Sequence, residues 1–132
     1  MAHDYGILDT SVVLDLRAIA VEDLPRFPYI TAITLAEIAA GPLLADNELE
    51  RARRQRQLSE VTQSLTVLPF DSAAALAFPL VSASLRTAHR KVSARSYDAL
   101  IASIALAHDL PLYTKNPRDF EHIDGLTVIA LA

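Results

Sequence analysis

Apolar runs alternate with polar breaks along the whole chain, and the period of each run predicts an element. Residues 5–8 are a short, mostly apolar run that stops at Asp9-Thr10-Ser11. This reads as a buried strand with an acid at its carboxyl end. Residues 12–19 are apolar enough for a short helix. Residues 22–27 read as a loop, punctuated by Pro25 and Pro28. Residues 29–31 suit a second strand. Thr34-Leu35-Ala36-Glu37 fits the S/T-x-x-E capping box, opening a helix that runs to Ala40 and stops at Gly41-Pro42. Residues 46–65 are polar, with Leu49, Ala52, Leu58, Val61 and Leu65 at helical spacing. A third strand is expected over 66–70. Asp71 then caps an alanine-rich helix to about Ala88, which Pro79 is expected to kink or split.

The most informative stretch is 96–120, SYDALIASIALAHDLPLYTKNPRDF. Ser96 is a good N-cap, and Asp98 falls in the first turn, where the macrodipole favours a carboxylate. From Ala99 to Ala107 the only polar residue is Ser103. A helix apolar on nearly every side is a buried helix. It is expected to end at His108-Asp109-Leu110, with Pro111 enforcing the stop. Residues 112–114 read as a strand. Asn116 can cap a further helix, with Pro117 first and Asp119 third. A turn at Asp124-Gly125 and an apolar run over 126–131 close the pattern. Strands alternate with helices, and the strands are continuous apolar runs without period-2 alternation. That pattern predicts an α/β fold with a parallel sheet covered on both faces.

Composition narrows the chemistry. At 132 residues with 52% hydrophobic content, one domain spanning 1–132 with a real core is expected. There are no cysteines, and the four histidines are scattered. Disulfides and zinc sites are therefore not expected, and any metal would be a hard, oxygen-liganded ion such as Mg²⁺ or Mn²⁺. No signal peptide or membrane span is predicted, so a soluble cytoplasmic protein is expected. A net charge of −4 argues against nucleic-acid binding over the whole surface. It leaves room for local basic patches, because the charges are segregated. One patch contains Arg51, Arg53, Arg54 and Arg56. Another contains Arg86, His89, Arg90, Lys91 and Arg95 and leads directly into Asp98.

In open α/β sheets, ligands bind beyond the carboxyl ends of the strands. Asp9, Glu37, Asp98, Thr114, Asn116 and Asp119 all fall after strands or at helix starts. Crowded carboxylates repel one another and persist most naturally around a divalent cation. Four segments, LDTSVVLDL, TLAEIAAG, SYDALIASIALAHDLPLYTKNPRDF and GLTVI, occur in this order and together resemble the PIN-domain ribonucleases. They are most similar to the VapC toxin branch of VapBC toxin–antitoxin modules. The resemblance implies a PIN-like three-layer α/β/α fold with about five parallel strands, and Mg²⁺- or Mn²⁺-dependent RNA cleavage. It also implies a homodimer and inhibition by a VapB-type antitoxin in a heterotetramer or larger assembly. The three family acids fall on Asp9, Glu37 and Asp98, and the family hydroxyl falls on Thr114. The fourth acidic position falls on the uncharged Asn116, so either Asp119 supplies that charge or the site runs on three carboxylates. Asp9 and Asp98 are then the metal ligands or nearest to them. Glu37 orients or deprotonates water, and Thr114, with Thr10 and Ser11 more weakly, holds a carboxylate or a bound water. Arg86, Arg90, Lys91 and Arg95 are candidate RNA contacts.

Plainer readings stand beside these. Glu37 could serve only a capping box, and Asp98 and Asp119 could be helix-start acids. The Arg51–Arg56 patch could be a solvated helix face. Two other functions compete. A phosphotransfer enzyme could use Asp9 as nucleophile, although a haloacid-dehalogenase-type loop needs a second Asp where Ser11 stands. A non-catalytic binding module could use the same fold.

Overall fold

The computed structural model describes residues 3–88 and 96–132. Five strands form one sheet: β1 (Tyr5–Leu8), β2 (Phe27–Thr31), β3 (Thr66–Leu68), β4 (Leu112–Thr114) and β5 (Val128–Ala130). Their order is β3-β2-β1-β4-β5, and every neighbouring pair is parallel. This is the expected parallel α/β/α arrangement. Among the described residues, five α-helices accompany it: α1 (Thr10–Leu14), α2 (Ala32–Ala40), α3 (Glu48–Ser64), α4 (Ser72–Thr87) and α5 (Ser96–His108).

Alternation along each strand divides the core into two. Ile7 and Leu112 point to one face, where they meet Ala74, Val81 and Leu85 of α4 and Ile101 and Ile104 of α5. Leu8 and Tyr113 point to the other, against Val12 and Val13 of α1, Ile38 of α2 and Val61 of α3. The helix read from its apolar run, α5, buries Ala99, Ile101, Ala102, Ser103, Ile104 and Ala105. Its single polar residue in that run, Ser103, donates to the Ala99 carbonyl at 2.7 Å and so carries no unmet bond.

Several boundaries differ from expectation. The helix expected over 12–19 begins at Thr10, because Asp9 caps it, and gives way to a 3-10 turn at Leu16–Ala18. The second strand is longer than 29–31, starting at Phe27, and the third stops at Leu68. Asp71 caps α4 as expected, accepting from the Ala74 N–H at 3.0 Å, and α4 runs through Pro79 as one element. Ser96 is already helical, the first described residue of α5, and so does not cap it from outside. Helix α5 ends at His108 as expected, and its closure is completed just before Pro111. Asp109 adopts a left-handed conformation (φ 52°). The Leu110 N–H then bonds the Ala105 carbonyl and the Asp109 N–H bonds the Leu106 carbonyl, a Schellman closure.

Candidate active site

The strand order reverses between β1 and β4. The chain builds β1, β2 and β3 outward on one side, then returns to lay β4 and β5 on the other. Such a switch point opens a crevice at the carboxyl ends of the two diverging strands. Asp9 directly follows β1, and Thr114 is the last residue of β4. The Asp9 N–H bonds the Tyr113 carbonyl at 3.0 Å, tying the two strand ends together.

Asp9 is only 5% exposed. Its Oδ1 accepts from the Ser11 hydroxyl at 2.6 Å and from the Val12 N–H at 3.2 Å. Its Oδ2 accepts from the buried Thr114 hydroxyl at 2.5 Å. Thr114 Oγ1 in turn accepts the Asn116 N–H at 2.9 Å, and Ser11 Oγ accepts the Lys115 N–H at 3.2 Å. A carboxylate has about four lone-pair positions; three are taken, leaving one on Oδ2. All three donors are uncharged. A buried carboxylate without a cationic partner is costly unless its hydrogen bonds are good, and here they are.

Glu37 lies elsewhere than the capping-box reading put it. The N-cap of α2 is Thr31, which accepts the Thr34 N–H at 3.1 Å. Thr34 is therefore the third helical residue, and Glu37 lies well inside α2. Its carboxylate reaches across to α1 and accepts from the Thr10 hydroxyl at 2.7 Å. The purely structural explanation of Glu37 as a cap partner does not hold. Glu37 is half-buried and lines a cavity of about 400 Å³ together with Thr10, Leu14, Arg53, Arg54 and Gln57.

Asp98 is half-buried in the first turn of α5. Helix α5 packs against α2, which carries Glu37, and against the 3-10 turn Pro117–Phe120, which carries the half-buried Asp119. Asn116 precedes that turn as an exposed residue whose side chain makes no cap bond. The expected capping role is thus absent, and the element is a single 3-10 turn.

Among the described residues, no three of His, Asp and Glu converge into a ready-made metal cage. The donor set is nevertheless all hard oxygen, with one open lone pair on a buried, uncompensated carboxylate. Mg²⁺ commonly takes only one or two carboxylates and keeps several waters, so this chemistry fits such an ion.

Of the basic patches, Arg53 and Arg54 both engage Glu50, and Arg54 also donates to the Gly41 carbonyl at 2.9 Å. Together the two arginines hold the Glu50 carboxyl down at about 2. Most of that patch is committed to its own helix, as the solvated-face reading expects. Arg86 is exposed in the last turn of α4; His89, Arg90, Lys91 and Arg95 lie outside the described residues. Lys115 is a residue the sequence did not single out. It sits between Thr114 and Asn116, joins Ser11 through its backbone and forms an ion pair with Asp15 through its side chain. No local pattern flags it, since its partners lie about a hundred residues away.

The fold and the site define a parallel α/β domain with a polar, acid-centred cluster at its switch point. The comparisons are narrower. The PIN domain family model matches residues 7–126. Ribonuclease VapC5 of Mycobacterium tuberculosis is 33% identical over 129 residues, covering 96% of this chain and 93% of that protein. Ribonuclease VapC1 of Rickettsia felis is 27% identical over 130 residues, covering 96% of each. A chain in the crystal structure of VapBC-5, a member of the VapBC family of toxin–antitoxin systems from M. tuberculosis, superposes with a TM-score of 0.82. It shares 29% identity and covers 97% of this chain and 99% of that one. A chain of DNA-bound VapBC from Salmonella typhimurium gives 0.73 at 26% identity, covering 98% of each. The chain belongs to the PIN-domain family, in its VapC group.

Proposed function

We propose that this chain is the toxin of a VapBC-type module, an endoribonuclease that works with Mg²⁺ or Mn²⁺ and is silenced by a VapB-type antitoxin. The observation that carries the proposal is Asp9. It is a buried carboxylate at the switch point, held by three uncharged donors, with one lone pair open and no cation beside it among the described residues. Asp9, with Asp98, would hold the ion. A bound divalent ion there supplies a more acidic water and positive charge beside the reacting phosphorus. Thr114 and Ser11 fix the Asp9 carboxylate. Glu37 orients attacking water and takes its proton. Asp119 or Asn116 completes the polar rim. Relatives named as ribonucleases over nearly the full chain support the activity, and a VapBC-5 neighbour supports the partner.

The test is cleavage of an RNA pool by the purified chain. Cleavage with Mg²⁺ or Mn²⁺, loss in EDTA, and loss in Asp9→Asn and Asp98→Asn with fold retained are expected. Full activity in EDTA or in Asp98→Asn overturns the proposal. For assembly, light scattering is expected to give a dimer at micromolar concentration. Expression of the free chain is expected to arrest growth, and co-expression of the antitoxin to restore it.

A further inference from the structure

Three threonines lead to Glu37. Thr31 and Thr34 are fully buried, and Thr10 is half-buried at the start of α1. Thr10 Oγ1 is 2.7 Å from Glu37 Oε1 and 3.0 Å from Thr34 Oγ1; Thr34 Oγ1 is 3.4 Å from Thr31 Oγ1. A hydroxyl has one proton. The Glu37 carboxylate can only accept, so the Thr10 proton lies on it. The Thr10–Thr34 contact is then made by the Thr34 proton. At 3.4 Å the last contact is too long for a good O–H···O bond, so the directed chain runs from Thr34 to Thr10 to Glu37. Each bond in such a chain polarises the next.

Two features set this apart from packing. Valine would fill the Thr34 site with the same shape and without a buried hydroxyl to satisfy. And Thr10 is the sole hydrogen-bond partner of Glu37 among the described residues, because Arg53 and Arg54, which line the same cavity, are engaged by Glu50. Without Thr10, a glutamate with three rotatable side-chain bonds stands at the wall of an open cavity opposite two arginines.

We propose that Thr10, backed by Thr34, is a positioning residue that pins Oε1 of Glu37 and so holds the carboxylate in its working orientation. This rests on the role given to Glu37 above. Thr10→Val is expected to lower kcat about 10- to 100-fold, the range for losing a partner that orients a working side chain, with KM changed less than about threefold. Thr10→Ser, which keeps the hydroxyl, is expected to stay within about threefold of the parent. Thr34→Val is expected to give a smaller loss in the same direction. In a Glu37→Gln background, Thr10→Val is expected to add less than about twofold, because the two act as a unit.

A readout independent of cleavage accompanies this. In thermal unfolding, the Tm losses of Thr10→Val and Glu37→Gln are expected to be non-additive, the double variant losing at least about 2 °C less than the sum. Coupling in stability without dependence of cleavage on Glu37 would uphold the contact and sink the function assigned to Glu37, and with it the positioning role. Cleavage that needs Glu37, with no coupling to Thr10, overturns the proposal alone. A Thr10→Ser variant as impaired as Thr10→Val, or a Thr10→Val variant with parental kcat, overturns it as well.

Discussion

Thr114→Val removes one hydroxyl from a fully buried site and leaves the side-chain shape almost unchanged. The hydroxyl donates at 2.5 Å to Oδ2 of Asp9, itself 5% exposed. Hydrogen bonds to charged groups contribute about 1.5–3 kcal/mol, and a buried carboxylate that loses one receives little help from water. The Asn116 N–H also loses its acceptor, but Asn116 is exposed and water can replace it. A loss of about 2 kcal/mol is therefore expected, which for a chain of this length lowers Tm by about 6–10 °C. In an Asp9→Asn background whose amide oxygen stays on Ser11 and Val12, the NH2 faces Thr114 and the contact is neutral, with Thr114 accepting. The same substitution is then expected to cost only about 0.5–1.5 kcal/mol. Calorimetry on the four corners of this double-mutant cycle measures the difference directly. RNA cleavage by Thr114→Val is expected to fall about 10- to 100-fold, since a loosened Asp9 no longer presents its open lone pair in place. A Tm within about 2 °C of the parent, or equal losses in the parent and Asp9→Asn backgrounds, would refute the view that Thr114 holds a charged carboxylate.

Gly6→Ala tests the β1–β4 seam: an added Cβ would come within 2.5 Å of Cε1 of the fully buried Tyr113. Where Gly→Ala inside a strand ordinarily stabilises, a loss of about 1–3 kcal/mol is expected in thermal melts. Glu50→Gln tests the Arg53–Glu50–Arg54 cluster. The folded Glu50 pKa lies at about 2 against an ordinary 4.5, so its contribution is full above the ordinary value and fades as pH falls toward 2. The parent is expected to lose more Tm than Glu50→Gln over that window, with the difference shrinking in 1 M salt as screening lengths drop to about 3 Å. Asn116→Asp adds charge to the exposed turn after Thr114 and is expected to tighten Mn²⁺ binding in calorimetric titration. Asp119→Asn is expected to cost less cleavage activity than Asp98→Asn; equal losses would make Asp119 the fourth acid.

The sheet was legible because its strands are short apolar runs closed by polar residues and alternate with helical segments, the pattern of parallel strands covered on both faces. Asp9 was legible for a related reason: an acid at the end of a buried strand has few bland explanations. The start of α2 was not. The segment Thr31-Ala32-Ile33-Thr34-Leu35-Ala36-Glu37 holds two overlapping cap signals, and the capping box picks the second. The structure uses the first because β2 runs to Thr31, whose backbone is already extended and opens directly into the helix. Asn116 misled in the same way, since the Thr114 hydroxyl takes its N–H and the turn beyond is too short to need a side-chain cap. The pairs that build the site, Thr10 with Glu37, Ser11 with Lys115 and Asp9 with Thr114, join residues 27 to 105 apart. No local window contains both halves of any of them.

Asp9 serves fold and crevice through the same two oxygens. Oδ1 caps α1 at the Val12 N–H, while Oδ2 meets Thr114 and keeps the open lone pair. The proposed cation site at this position would therefore need no separate scaffold: the cap that starts α1 also fixes the carboxylate. It follows that substitutions at Asp9 differ in kind. Asparagine caps helices about as well as aspartate and can still accept from Ser11 and Val12, so the charge goes and the helix start stays. Alanine removes the cap, at about 1 kcal/mol, and also strands the Ser11 and Thr114 hydroxyls in a buried place. Asparagine weakens the Thr114 contact and so lowers the melting temperature modestly. Loss of cleavage measured well below that temperature in Asp9→Asn still reports on charge, whereas the same loss in Asp9→Ala mixes charge with loss of the cap. The asparagine variant is the one in which the two roles of this carboxylate come apart.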